Sequence, residues 1–169
     1  VPQARQRLIF VGVRDDLPFA PAYPKPLPYQ YTVREAICPT GGEPLEVDPE
    51  TGQNLIFTKY SIYETWKRLG AGESPTGSYF NLIRVNPDRP APTIAASHGT
   101  PGVASASHWE TPRKFSLQEC RRLCGFPDDF ALTGTYQQRW ERLGRAVPPV
   151  MMSHIAAAVR DALLGVTDA

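Results

Sequence analysis

The sequence lacks an excess of charge of either sign. Eighteen Lys and Arg face seventeen Asp and Glu, for a formal net charge of +1. No global basic field of the kind that gathers nucleic acid is present, so any such contact must come from local clusters. Cysteine is scarce: Cys38, Cys120 and Cys124 make no CxxC pair and no metal-ligand spacing. An odd cysteine count without a signal-peptide pattern excludes a disulfide scaffold and leads us to expect a reducing, cytoplasmic setting. No apolar run approaches the length of a membrane span, so no membrane partner is expected. The chain opens on Val1 rather than Met and enters an apolar run almost at once, as a piece cut from a longer protein would.

Proline and glycine are plentiful, at 18 and 13 of 169 residues, so many loops and short elements are expected within one domain or one domain plus a small insert. Leu8 to Val13 (LIFVGV) is short, apolar and rich in β-branched residues, and reads as a strand buried on both faces of a sheet. Too few other strands are visible to complete a large sheet. Just before it, an extended Pro2–Arg7 would place Gln3, Arg5 and Arg7 on one face. One amide and two guanidiniums suit a phosphate or a base edge, while the plainer reading is a solvated polar lead-in to the strand.

A Pro-rich connector (18–28) precedes Thr32-Val33-Arg34-Glu35, a capping box that opens a short helix. The loop 41–52 carries Glu43, Glu46, Asp48 and Glu50 with no basic residue, and reads as a solvated surface loop held away from any nucleic acid. Asn54–Tyr60 is a candidate strand. Ser61 and Glu64 form a second box, followed by Ile62, Trp66 and Leu69 at helical spacing, with Trp66 as core and Gly70 as a stop. Tyr79–Val85 and Ala91–Ala96 are further short strand candidates, and His98–Trp109 is long and built of small residues. Arg84, Arg89, His98 and His108 would meet phosphates or base edges if this is a recognition surface; a plain surface insert fits equally well.

In the last third, Ser116 and Glu119 make a third box, Leu117, Cys120, Leu123 and Cys124 an apolar face, and Gly125 a left-handed stop. Both cysteines read as inert core thiols. A second helix from Tyr136 to Leu143 buries Tyr136, Trp140 and Leu143 and ends at Gly144, and Pro148-Pro149 starts a final helix with Met152, Ile155, Val159 and Leu163 in a stripe.

VPQARQRLIFVGVR resembles the eighth motif of the DNA cytosine-5 methyltransferases, Pro-Gln-x-Arg-x-Arg followed by a strand. RKFSLQECRRLCGFPDDF resembles their ninth motif, and LGRAVPPVMMSHIAAAV their tenth. The order is the family's, and the stretch between the eighth and ninth is its variable target-recognition domain. Three ordered motifs around a loop-rich insert are far more specific than any one alone.

The resemblance implies an α/β fold: an incomplete S-adenosylmethionine-dependent, Rossmann-like methyltransferase domain with a small mixed recognition domain. Residues 1–37 would be the tail of the catalytic domain, 38–112 the recognition region and 113–169 the helices returning to the catalytic domain. Family chemistry flips a cytosine out of double-stranded DNA, attacks its carbon 6 with a Cys thiolate and methylates carbon 5 from S-adenosylmethionine. By resemblance, Arg7 would approach the flipped base and its phosphate, and Gln3 and Arg5 would support the catalytic loop. Thr93-Ile94 resembles the recognition domain's Thr-aliphatic pair, and Arg84, Thr93, Ile94 and Arg113 are the candidate DNA contacts. Arg113 would tie that domain to the scaffold. Gly144, Arg145, Ala146 and Val147 would lie against the S-adenosylmethionine pocket.

Three departures stand out: Gln118 in place of the usual Arg, Cys124 in place of Gln and Arg145 in place of Asn. The Gly-rich cofactor loop, Pro-Cys nucleophile and Glu-Asn-Val motif, which precede the eighth motif in the family, are absent. The expectation is the recognition half of a restriction-modification methyltransferase, inactive alone, whose partner is the missing catalytic half or a complementary subunit. The alternatives are a non-catalytic DNA-binding or regulatory descendant, and an RNA methyltransferase of the same fold. Either way, exposed apolar surface is expected along the final helix or beside Leu8–Val13.

Overall fold

A computed structural model describes residues 1–38, 45–99 and 104–165. The start of the acidic loop, including Glu43, and residues 100–103 of the small-residue stretch lie outside it. Helices and a short parallel sheet make a mixed α/β architecture. In chain order these are α1 (Val33–Ile37), α2 (Ile62–Arg68), β1 (Ile83–Arg84), a 3-10 turn (Ala96–Gly99), β2 (Ala106–Ser107), α3 (Leu117–Leu123), α4 (Tyr136–Arg145) and α5 (Pro149–Leu164).

The helix starts follow the sequence closely. Thr32 and Glu35 form a reciprocal capping box on α1, and Ser116 and Glu119 another on α3. Thr135 and Gln138 form a third on α4, from a T-x-x-Q spacing not singled out above. Each such cap is worth about 1 kcal/mol to its helix. The box expected on α2 does not close: Ser61 is itself helical in backbone, and its hydroxyl sits 2.5 Å from the Tyr79 hydroxyl instead.

The strand candidates shrink. β1 pairs parallel with β2 over two residues, Ile83 with Ala106 and Arg84 with Ser107. Elsewhere among the described residues pairing is limited to single bridges, Gln3 with Ala91, Val47 with Asn54 and Ile56 with Arg113. Pro87, Pro90, Pro92 and Pro112 interrupt these segments. Each removes a donor, so a ladder cannot extend through it.

The core lies in two clusters. The larger joins Val33, Leu55, Val85, Ile94, Phe115, Leu117, Cys120, Leu123 and Trp140, drawn from all along the chain. The smaller gathers Phe57, Ile62, Trp66, Leu69 and Leu82 under α2, so Trp66 is core, its indole N–H donating 3.0 Å to the Ser107 hydroxyl. α4 lies against the 3-10 turn at very short range. Gly144 does not end α4; it sits inside it, because a side chain there would meet the Ala96 backbone at 2.5 Å.

The acidic loop is a latch, not a solvated loop. Asp48 is buried and accepts from the Leu117 amide at 2.9 Å and from the Thr51 amide and hydroxyl at 3.0 and 2.7 Å. Glu50 pairs with Arg121 of α3 and, at 3.1 Å, with Arg139 of α4. The carboxylates satisfy an orphan helix-start amide and bridge two helices, which a count of loop charges does not show.

Leu8–Val13 is not a strand buried on both faces. It has no backbone partner among the described residues beyond the Val11 amide donating to the Tyr23 hydroxyl, and Leu8 and Phe10 are 80% and 85% exposed. A strand needs a neighbour to satisfy its backbone. α5 has the same character: not one of its sixteen residues is buried. The apolar surface expected at these two elements is present.

Candidate functional site

The first residues of the chain form the junction. Pro2 to Ala4 lie along Ala91: the Ala4 amide donates 2.7 Å to the Ala91 carbonyl, and the Ala91 amide 2.9 Å to the Pro2 carbonyl. Thr93 adds its hydroxyl to the Ala4 carbonyl at 3.2 Å. Pinned there, Gln3 is buried and its amide donates to the Leu123 carbonyl and the Cys124 sulfur at the end of α3. Arg5 reaches across two segments at once. Its guanidinium donates 3.1 Å to the Ile94 carbonyl and 2.6 Å to the Gly144 carbonyl in α4. Two donors in one rigid fork hold two backbone segments at a fixed spacing.

Arg7 does not share that face. The Arg5 amide donates 3.0 Å to the Gln3 carbonyl, a three-residue turn that breaks the extended alternation. Arg7 is then exposed, its guanidinium donating, among the described residues, only to the adjacent Gln6 carbonyl. The residues brought together are thus Gln3, Arg5, Thr93, Ile94 and Gly144, with Arg7 projecting from the same arm as a free cation.

The other expected site residues lie apart from this cluster. Arg84 donates 2.7 Å to each of the Trp109 and Leu69 carbonyls and lies over the Trp66 ring at 4.1 Å. That is a clamp between the two strands and α2, made through Nε and Nη1 of a half-buried side chain. Arg113 is buried in a two-pronged ion pair with Glu119, at 2.8 and 2.9 Å, fixing the segment before α3 to the α3 cap. His108 is buried, stacked on Trp109 at 3.9 Å, and its Nδ1 accepts from the Glu110 and Thr111 amides. Burial, with Arg113 nearby, pushes its pKa down to about 4. Arg89 is exposed and His98 half-buried.

The turn expected against a cofactor offers little by itself. Gly144 is packed on Ala96, Arg145 is exposed and paired with Glu141 at 2.5 Å, and only Val147 presents an open apolar side chain. These four residues do not form a site for S-adenosylmethionine without further walls. None of the cysteines is an activated thiol either. Burial pushes the Cys38 thiol up, Cys120 well above its ordinary value and Cys124 to about 11. No three His, Cys, Asp or Glu side chains among the described residues converge to hold a metal, and no described helix is long and apolar enough to cross a membrane.

The family described as C-5 cytosine-specific DNA methylase matches residues 1–161. The type II methyltransferase M.BbvI of Brevibacillus brevis is 32% identical over 88% of this chain and 42% of its own length. M.PspPI of Psychrobacter sp. (strain TA137) is 30% identical over 94% of this chain and 42% of its own. A crystal structure of a candidate prophage-encoded DNA modification methyltransferase (E. coli) aligns at a TM-score of 0.48 and 25% identity, covering 61% of this chain and 26% of that one. The chain thus spans about two fifths of the length of the first two curated relatives. With the family profile matched over nearly the whole chain, this chain belongs to the C-5 cytosine-specific DNA methylase family.

Proposed function

We propose that this chain is the DNA-recognition half of a cytosine-5 DNA methyltransferase of the restriction-modification kind, working with a catalytic half that supplies the nucleophile and most of the S-adenosylmethionine site. The observation that carries this is the uncovered apolar surface. Leu8 and Phe10 are open, and a sixteen-residue helix rich in Met, Ile, Val and Leu buries none of them. An amphipathic helix owes most of its stability to a packed face, so α5 and Leu8–Val13 call for a partner layer. A groove of about 1350 Å³ between the N-terminal arm and the start of α5, lined by Leu8, Tyr29, Tyr31, Phe126 and Val150, lies beside them.

On this reading Leu8–Val13 pairs with a strand of the catalytic sheet, and α5 packs over that sheet. Gln3 and Arg5 hold the arm in place from behind. Arg7, free of internal partners beyond its neighbour, is left to meet the displaced cytosine or its phosphate. Thr93 donates its hydroxyl to the Ala4 carbonyl and Ile94 supplies a carbonyl that Arg5 holds, so the recognition segment is tied to the arm at two points. S-adenosylmethionine supplies the methyl group when bound, with Val147 contributing one apolar wall.

The test is methyl transfer from tritiated S-adenosylmethionine to duplex DNA. The chain alone is expected to bind DNA weakly and transfer nothing. Joined to a catalytic half bearing the Pro-Cys and Gly-rich motifs, it is expected to direct methylation to cytosine carbon 5, read by bisulfite sequencing. Methyl transfer by the purified chain alone would refute the assignment.

A further inference from the structure

Tyr79 is the one described non-glycine residue with a positive φ, at 62°. Left-handed backbone is costly for a bulky L-residue and persists only where the surroundings enforce it. Here they do. The Leu82 amide donates 2.7 Å to the Tyr79 carbonyl, closing a tight turn, and Leu82 is buried in the smaller core, against which the half-buried Tyr79 ring also packs. The Tyr79 hydroxyl lies 2.5 Å from the Ser61 hydroxyl. Ser61 follows a second tight turn, in which the Tyr60 amide donates 3.0 Å to the Phe57 carbonyl, and Phe57 is buried in that same core.

Two turns are therefore anchored on one core and joined by one hydrogen bond. What they hold out to solvent is Phe80, 71% exposed, with Asn81 beside it on one turn and Lys59 and Tyr60 exposed on the other. The Lys59 ammonium lies 5.4 Å from the Tyr60 ring and is in no ion pair among the described residues. The left-handed backbone at Tyr79 costs stability, and the exposed Phe80 ring that it fixes on a rigid mount contributes nothing to the core. It does lower the ordering cost of a contact made elsewhere.

We propose that the paired turns 57–60 and 79–82 are a specificity-determining DNA contact of this chain. Phe80 meets the apolar edge of a base, the Asn81 amide reads its polar edge, and Lys59 takes the neighbouring phosphate. Asn offers the donor and acceptor that adenine presents in the major groove, and an aromatic ring suits the thymine methyl or a base step. Tyr79 is the positioning residue: its backbone aims Phe80, and its hydroxyl couples the two turns. The assignment rests on the reading that the chain binds DNA.

The experiment uses the full chain and a randomised duplex DNA library, with selection of bound sequences followed by anisotropy titration across a salt series. Phe80→Ala and Asn81→Ala are expected to fold as the parent does, shown by circular dichroism and melting. They should lose about tenfold affinity for the parent's selected sequences while keeping its affinity for the unselected pool. Lys59→Ala is expected to weaken every sequence alike and lower the salt slope by about one. Tyr79→Phe is expected to reproduce part of the Phe80→Ala effect. Parent-like selection and affinity in both Phe80→Ala and Asn81→Ala, with DNA binding intact, would overturn the assignment. A parent chain that binds no duplex at all would instead refute the recognition-half reading, and this assignment with it.

Discussion

Gly144 is the position where fold and site depend most directly on one missing atom. A Cβ placed there would lie 2.5 Å from the Ala96 nitrogen, 2.6 Å from its Cα and 2.9 Å from the Ala95 carbonyl carbon. Ordinary contact begins near 3.4 Å, so α4 and the 3-10 turn would have to separate by close to 1 Å. The obstruction is backbone, and no side chain can swing away. Gly144→Ala gains about 1 kcal/mol of helix propensity. Overpacking of a well-filled contact costs about 1–3 kcal/mol, and the upper end applies where backbone meets backbone. The net expectation is a loss of about 1–2 kcal/mol. In a chain of this length that lowers the melting temperature by roughly 3–6 °C. Separation also strains the Arg5 contacts to the Gly144 and Ile94 carbonyls and the Trp140 indole N–H to the Ala95 carbonyl, now 2.9 Å. DNA binding should therefore weaken beyond what the melt alone explains. Urea titration, thermal melts and anisotropy on one preparation check this. A melting temperature equal to or above the parent's would refute the close-packing argument and restore Gly144 to a mere helix stop.

Glu119→Ala removes the acceptor of both Arg113 prongs and of the Ser116 amide, leaving a buried guanidinium unpaired, and is expected to cost about 3–5 kcal/mol in urea unfolding; a loss under about 1 kcal/mol would show that the pair is not buried as described. His108 titrates near 4 in the fold against an ordinary value of 6.5, so the unfolded chain takes up its proton first as pH falls. Its contribution is complete above about 6.5 and is lost as pH drops toward 4, up to about 3 kcal/mol and nearer 2 after solvent screening; His108→Gln should flatten the stability curve in that window. Arg145→Asn restores the residue usual in the family at an exposed position whose one ion pair is with Glu141, and should change stability by less than about 0.5 kcal/mol.

Local chemistry was legible where it was encoded locally. The boxes at Thr32 and Ser116, the apolar faces of α3 and α4, the Pro-led start of α5 and the core role of Trp66 each depend on residues within a few positions of one another. Two expectations that the fold of this chain does not realise share a cause. Leu8–Val13 reads as a buried strand because its composition suits a sheet, but a strand is a relation between segments, and no neighbour is among the described residues. Asp48 and Glu50 read as solvated because loop acids usually are, but their partners, Leu117, Arg121 and Arg139, lie about seventy or more positions away. The Arg5 clamp was missed for the same reason. Its two carbonyl acceptors have no side-chain signature, and only the motif resemblance drew attention to the arm that carries it.

The three departures from the family's usual residues bear on whether the chain is divergent or decayed. Gln118 lies on the exposed side of α3, where a long polar side chain of either kind is accommodated. Arg145 lies in solvent and finds a partner one turn back. Cys124 is the informative one. It is buried at the end of α3, and the Gln3 side-chain amide nitrogen donates to its sulfur at 3.4 Å while the Gln3 side-chain oxygen Oε1 has no protein partner among the described residues. A glutamine at that position would carry an N–H able to complete Gln3, so its replacement removes a hydrogen bond from the junction. Around it, Gln3 still reaches Leu123, Arg5 still spans Ile94 and Gly144, and Arg113 still pairs with Glu119, although the Nε atoms of Arg5 and Arg113 are buried without a partner among the described residues. With the Gln3, Arg5 and Arg113 contacts kept and one bond of Gln3 loosened at Cys124, the junction between arm and recognition segment retains its geometry, as a divergent rather than a decayed chain would.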